Sequence, residues 1–308
     1  MTPKTAFLFP GQGSQSVGMG KALAETFPAA RRVFDEADRA LGERLSRLCF
    51  EGPEDQLRLT ANTQPALLTV SIAAFEVLKE RGIVPEYVAG HSLGEYSALV
   101  AAGSLQFADA VRLVRQRGRY MQEAVPPGVG AMAALLKLPE GKLEEVLAEA
   151  AQGETVSAAN FNSPDQVVIA GHAAAVNRAV ALAKAAGARR AVLLPVSAPF
   201  HCALMRPAQE RLKADLDAAP FADLVCPLVN NWQAREIHTG TEAREGLYRQ
   251  VPSPVRWVET IRLLAVRGVT RFVEVGAGSV LTGLLKNIDP ALAGMAAGTP
   301  SDMDKLNA

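Results

Sequence analysis

The chain has 308 residues, 49% of them hydrophobic and 21% charged, a composition that excludes a disordered or fibrous protein and leaves room for one main domain and a smaller one. Its 32 basic side chains balance 32 acidic ones, so no overall attraction for nucleic acid or an anionic membrane is expected. No apolar run reaches membrane-spanning length, Met1 to Phe9 lacks the pattern of a secretory signal, and Cys49, Cys202 and Cys226 suit neither a disulfide framework nor a zinc site; a cytoplasmic protein with incidental thiols is expected.

Thr5 to Phe9 is a compact apolar run suited to a buried strand, followed by Pro10-Gly11-Gln12-Gly13-Ser14-Gln15. The glycine spacing fits neither a dinucleotide turn nor a Walker loop, which leaves two readings, a plain turn or a supplier of backbone N–H groups to an anion. Residues 20–60 show helical periodicity broken at Pro28, Gly42 and Gly52-Pro53 and read as scaffold. Thr60 to Gln64 then supplies cap residues for a buried helix expected from Pro65 to Arg81.

Glu86 to Ala89 reads as a short strand that runs into Gly90-His91-Ser92-Leu93-Gly94, the spacing of a nucleophile elbow, with a helix from Leu93 to Ala102 stopped by Gly103. The glycines let the turn pack against its neighbours, and the Leu93 N–H at the helix start faces any oxyanion forming on an acyl group at Ser92. In the helix over 110–121, at about 100° per residue, Arg112, Arg115 and Arg119 share one face. Arg117 lies roughly 140° from Arg112, among Leu113, Val114, Tyr120 and Met121, where a guanidinium must meet an anion. An internal salt bridge, a snorkelling side chain that reaches water, and an anionic ligand all answer that requirement.

Pro126-Pro127-Gly128 marks a boundary. Beyond it the pattern is β-α-β-β-α-β: strands over 129–138, 155–161, 166–170 and 189–196, with helices over 139–152 and 172–187, the signature of an inserted ferredoxin-like unit. The expected organisation is a large α/β domain of residues 1–126 and 198–308 with a small subdomain over 127–197. Of the four histidines, His201 alone sits at a strand-to-loop junction between the two, where general base and buried spectator are both open roles; His172 and His238 are expected to be solvated, and His91 serves either geometry or chemistry. The remainder returns to an α/β pattern, with Gly276-Ala277-Gly278-Ser279 as a tight strand-to-helix turn of the main sheet.

Seven stretches, in order, resemble the malonyl-CoA:acyl carrier protein transacylases: Phe9-Pro10-Gly11-Gln12-Gly13-Ser14-Gln15, Asn62-Thr63-Gln64-Pro65-Ala66, Gly90-His91-Ser92-Leu93-Gly94-Glu95, Arg117-Gly118-Arg119, Asn160-Phe161-Asn162-Ser163-Pro164, Pro199-Phe200-His201 and Pro254-Val255-Arg256-Trp257. The resemblance implies a hydrolase-like α/β fold with a ferredoxin-like insert and an active site between them. It implies Ser92 as nucleophile, His201 as base oriented by the main-chain carbonyl of Gln250, and Gln12 and Leu93 as oxyanion donors. Arg117 is the implied partner of the malonyl carboxylate, with His91, Asn160 and Asn162 in the substrate site. The implied partners are malonyl-CoA and acyl carrier protein, without metal or redox cofactor, in fatty acid biosynthesis. Oligomeric state is left open, with a monomer as the expectation. Asn230-Asn231-Trp232-Gln233 departs from the family pattern of Ser-Asn-Val and a small residue, so altered contacts near the His201 loop are expected.

Two other readings stand beside it. A discrete acyltransferase of a polyketide pathway would share every motif. A serine esterase or thioesterase shares the elbow but places its histidine near the chain end, whereas His201 follows Ser92 by 109 residues with 107 still to come.

Overall fold

In the computed structural model, which describes residues 4–196 and 198–306, the chain runs through two sheets. Residues 1–3, Ser197, Asn307 and Ala308, which the expected domain limits include, lie outside the described residues. The elements are β1 (Lys4–Phe9), α1 (Lys21–Thr26), α2 (Pro28–Leu41), α3 (Leu45–Glu51), α4 (Glu54–Leu57), α5 (Thr60–Glu80), β2 (Tyr87–Gly90), α6 (Gly94–Ala101) and α7 (Phe107–Glu123). Then come β3 (Gly130–Leu136), α8 (Lys142–Ala151), β4 (Val156–Ser163), β5 (Gln166–His172), α9 (Ala173–Ala185) and β6 (Arg190–Leu193). After a 3₁₀ turn (Ala203–Met205), the chain closes with α10 (Arg206–Ala218), β7 (Leu228–Val229), β8 (Glu236–Ile237), α11 (Gly240–Gln250), α12 (Trp257–Val266), β9 (Val269–Val275), α13 (Val280–Ile288), β10 (Gly294–Ala297) and α14 (Pro300–Leu306).

The larger sheet has the order β10-β9-β1-β2-β7-β8, parallel except for β8. Both of its faces are buried, and the alternation of side chains along β1 shows why the strand is apolar from Ala6 to Phe9. Phe7 and Phe9 enter one core with Phe34, Leu67 and Val88, while Ala6 and Leu8 enter a second core with Trp257, Ile261 and Phe272. From β1 the chain moves to β2 on one side and returns much later as β9 on the other. The ends of β1 and β2 therefore open on a crevice where the strand order reverses, the place where α/β sheets bind ligands.

The smaller sheet is antiparallel in the order β4-β5-β3-β6, the ferredoxin-like arrangement, with α8 and α9 packed on one face around Leu135, Val146, Ile169, Val176 and Ala179. Its strand β4 runs through Ser163, two residues past the expected end. That extension puts Asn160 and Asn162 on one strand at a spacing of two.

Several local expectations change. Helix α5 begins at Thr60 rather than at Pro65. Pro65 withdraws a donor only from the half-buried Ala61 carbonyl, while Thr63 Oγ1 donates to Leu57 O at 2.6 Å and Asn62 Nδ2 to Gln56 O at 2.8 Å, tying down the first turn. Arg115 shares a helix face with Arg112 and Arg119 yet is buried, because Glu43 and Asn62 fold over it. His172 is half-buried and its Nδ1 accepts the Thr155 N–H at 3.0 Å; His238 is exposed as expected. Gly276 to Ser279 does turn from β9 into α13, where buried Glu274 accepts the N–H groups of Leu281 and Thr282 at 3.0 and 2.7 Å.

Candidate active site

The elbow after β2 is fixed by sterics. A Cβ on Gly90 would lie 1.9 Å from the Gly94 carbonyl carbon, and one on Gly94 would lie 2.0 Å from Phe9 O, so only glycine lets β2, β1 and α6 meet this closely. Ser92 itself is held at φ 51°, the strained left-handed conformation that lifts its hydroxyl out of the turn. Its N–H donates to Asn231 Oδ1 at 2.7 Å, and the N–H groups of Gly94, Glu95 and Tyr96 reach carbonyls of the same turn. Among the described residues, that leaves the Leu93 N–H as the one donor between positions 92 and 96 without an acceptor.

His201 is the second non-glycine residue in the site with positive φ, at 59°. Its Nε2 lies 2.7 Å from Ser92 Oγ, and its Nδ1 lies 3.2 Å from Gln250 O and 3.1 Å from Ser253 O. Two carbonyls can only accept, so Nδ1 carries the proton and Nε2 presents a lone pair to the serine hydroxyl. Burial, reinforced by the positive charge of Arg117, pushes the imidazole down to about 3, which keeps it neutral and able to accept a proton. Among the described residues, no carboxylate orients this histidine; the main-chain carbonyls of Gln250 and Ser253 do. The Gln250 carbonyl is accompanied by that of Ser253, a partner that sequence reasoning missed.

Arg117 is 1% exposed, yet among the described residues its hydrogen-bond partners are two amides and the serine hydroxyl, with no carboxylate within ion-pair distance. Its Nη1 donates to Gln64 Oε1 at 2.8 Å, its Nη2 to Gln250 Oε1 at 2.8 Å and to Ser92 Oγ at 3.1 Å, and its Nε has no partner. The internal salt bridge left open by the sequence is therefore not what holds this guanidinium. Gly118 lets α7 come this close to α5, since a Cβ there would meet Thr60 O at 2.6 Å.

These groups line a cavity of about 230 Å³ whose walls include Gln12, Asn160 and Asn162, with Met132, Val168 and Phe200 as apolar lining. Gln12 lies three residues past β1 and Leu93 follows Ser92, and both oxyanion candidates line the same cavity as the serine. His91 turns away from the nucleophile: its Nε2 donates to Asn162 Oδ1 at 2.8 Å and its ring stands edge-on to Trp257, with centroids 5.5 Å apart. Burial lowers its pKa, so it spans the two sheets as a neutral imidazole.

Beneath the elbow lies a buried polar network centred on Glu95, Gln250 and Asn231. Asn231 Nδ2 donates to Gly90 O at 2.7 Å while its Oδ1 holds the Ser92 N–H, so the stretch where altered contacts near the His201 loop are expected also braces the serine turn. Gln64, Glu95 and Asn231 are functional neighbours to which the sequence assigned no role. The only signal was their place inside the quoted motifs and the departing stretch.

Fold and site together define a hydrolase-like α/β protein with a Ser–His pair at the switch point of its sheet and, beside it, a buried arginine with no carboxylate in direct contact among the described residues. The chain belongs to the acyl transferase family, whose domain model matches residues 6–291. It is 51% identical over 302 residues to the malonyl CoA-acyl carrier protein transacylase of Bacillus subtilis strain 168, covering 98% of this chain and 95% of that one. The crystal structure of an acyl carrier protein S-malonyltransferase from Vibrio cholerae superposes with a TM-score of 0.96 at 46% identity, covering 98% of this chain and 99% of that one. A malonyl-transacylase in complex with a type II PKS acyl-carrier protein superposes with the same TM-score of 0.96 at 46% identity, covering 98% of each chain.

Proposed function

We propose that this protein transfers the malonyl group from malonyl-CoA to the phosphopantetheine thiol of acyl carrier protein, as a cytoplasmic monomer serving fatty acid biosynthesis. The observation that carries this reading is Arg117, a buried cation with no carboxylate in direct contact among the described residues, 3.1 Å from the nucleophile hydroxyl inside an acyl-sized cavity. A neutral acyl chain gives such a charge nothing to bind. A malonyl group brings a free carboxylate to it.

Ser92 Oγ attacks the thioester carbon as His201 Nε2 takes the hydroxyl proton, and the charge developing on oxygen is received by the N–H groups of Leu93 and Gln12. Collapse breaks the C–S bond, and the proton on His201 passes to the leaving CoA thiolate. The carrier thiol then repeats the steps in reverse, with His201 accepting the thiol proton and returning it to Ser92. The malonyl carboxylate stays with Arg117, and Asn160 and Asn162 border the acyl group from β4. In this reading residues 1–126 and 198–308 form the catalytic domain. Residues 127–197 form a small subdomain that roofs the cavity through Met132, Ala134 and Val168.

Incubation with malonyl-CoA alone should add one malonyl group to the intact protein, on Ser92, and the adduct should persist until a thiol acceptor is added. Rapid release of malonate would favour a hydrolase instead. The solved complex of a similar transacylase with a type II PKS carrier supports a second reading, service to a polyketide carrier. A panel of holo-carriers read by intact mass separates the two.

A further inference from the structure

Glu95 is 0% exposed, one residue past the elbow, and plays no part in the steps above. Its Oε2 accepts the Asn231 N–H at 3.0 Å and Gln250 Nε2 at 2.8 Å, while its Oε1 faces Gly246 without a partner. Gln250 Nε2 also donates to Ser92 O at 3.0 Å, and Gln250 Oε1 accepts from Arg117 Nη2 at 2.8 Å.

The chemistry of these groups leaves one arrangement of the Gln250 amide. A guanidinium only donates and a peptide carbonyl only accepts, so Nε2 must face Ser92 O and Glu95, and Oε1 must face Arg117. A flipped amide would set its NH₂ against the guanidinium. Among the described residues, the other amide acceptor of Arg117 is Gln64 Oε1, and the Ser92 hydroxyl is drawn away when it reacts. Glu95 is thus one of the two acceptors, with Ser92 O, that hold this orientation from the far side of Gln250, and it is the one supplied by a side chain.

We propose that Glu95 is a positioning residue for acid selection: by accepting Gln250 Nε2 it fixes Gln250 Oε1 toward Arg117, and so fixes the guanidinium that receives the malonyl carboxylate. This rests on the reading of Arg117 given above. The role belongs to the acceptor oxygen. Glutamine at this position would offer the same oxygen to Asn231 N–H and to Gln250 and would turn its amide nitrogen to the unpartnered side, whereas alanine offers nothing to either donor.

The test compares wild type, Glu95→Ala and Glu95→Gln in kcat/KM for malonyl-CoA and acetyl-CoA, with Ser92 labelling by a phosphonate ester as the check on the elbow. Glu95→Ala should lower the malonyl-to-acetyl ratio about 10-fold, the size expected when a buried polar partner is withdrawn, and Glu95→Gln should hold it within about 3-fold of wild type. Equal loss of both substrates and of labelling in Glu95→Ala would overturn the proposal in favour of general damage to the turn. A ratio in Glu95→Gln that falls as far as in Glu95→Ala would overturn it too, since charge rather than the acceptor would then matter. Should Glu95→Ala fail to fold, Gln250→Met breaks the same link from the other side, and an unchanged ratio there refutes the proposal. Wild type that transfers no malonyl group, or an Arg117→Ala variant with an unaltered ratio, would instead remove the reading of Arg117 and this proposal with it.

Discussion

Truncation of Arg117 to alanine tests the site most directly. In the folded protein its guanidinium is buried, donates to Gln64, Gln250 and Ser92, and keeps Nε unpaired, so it is pre-oriented with no carboxylate in direct contact among the described residues. A carboxylate entering this cavity loses its water, and only a charge-assisted, bidentate partner offsets that cost. Removing one member of such a pair costs about 2 to 5 kcal/mol. At about 1.4 kcal/mol per tenfold, malonyl transfer should fall at least about 30-fold in kcat/KM. Lysine should restore only part of it, because a point charge cannot copy the planar fork. Acetyl-CoA brings no carboxylate, so its transfer should fall little or rise. The assay is transfer to a holo-carrier from each donor, by wild type and by Arg117→Ala. A malonyl-to-acetyl ratio that does not change would refute the reasoning, because the arginine would then serve structure alone.

Four further outcomes are expected. His201→Ala should slow transfer by about 10²-fold or more, the usual worth of a general base, and near-normal rates would move that role elsewhere. Because burial holds His201 down to about 3, Ser92 acylation in brief incubations should survive below pH 6.5; an acid limb centred near 6.5 would contradict the buried, neutral imidazole. Burial pushes Glu95 up to about 7 from an ordinary 4.5, so the native state holds its proton where the unfolded chain has lost it. The stability it contributes is full below 4.5 and lost as pH rises through 7, and the unfolding free energy of wild type relative to Glu95→Gln should decline by up to about 3 kcal/mol across that window; a flat difference in denaturant titrations would show an ionised Glu95. Gly90→Ala should cost about 3 kcal/mol or more in the same titrations, because the added methyl group meets backbone at 1.9 Å; a stable, active variant would contradict the steric account of the elbow.

Local rules already determined much of this protein in its sequence. The elbow is legible because its glycines answer clashes between neighbouring backbones, and β1 is legible because a strand buried on both faces must be apolar along its buried run, here Ala6 to Phe9. The burial of Arg117 follows from helical phase, which places it among Leu113, Val114 and Met121. The strand-helix rhythm of residues 130–193 gives the ferredoxin-like sheet for the same reason: each element is declared by its own periodicity. Phase alone could not say what a buried cation meets. That was decided only when α7, α5 and α11 packed together and brought Gln64 and Gln250, rather than an acid, to the guanidinium. The bracing of Ser92 by Asn231, and of Asn231 by Glu95, joins positions 139 and 136 residues apart. Ser253 reaches His201 across 52 residues. A side-chain amide or a main-chain carbonyl leaves no periodic trace in a sequence, because its role depends on which donor the fold sets against it, and that is a property of the packed structure.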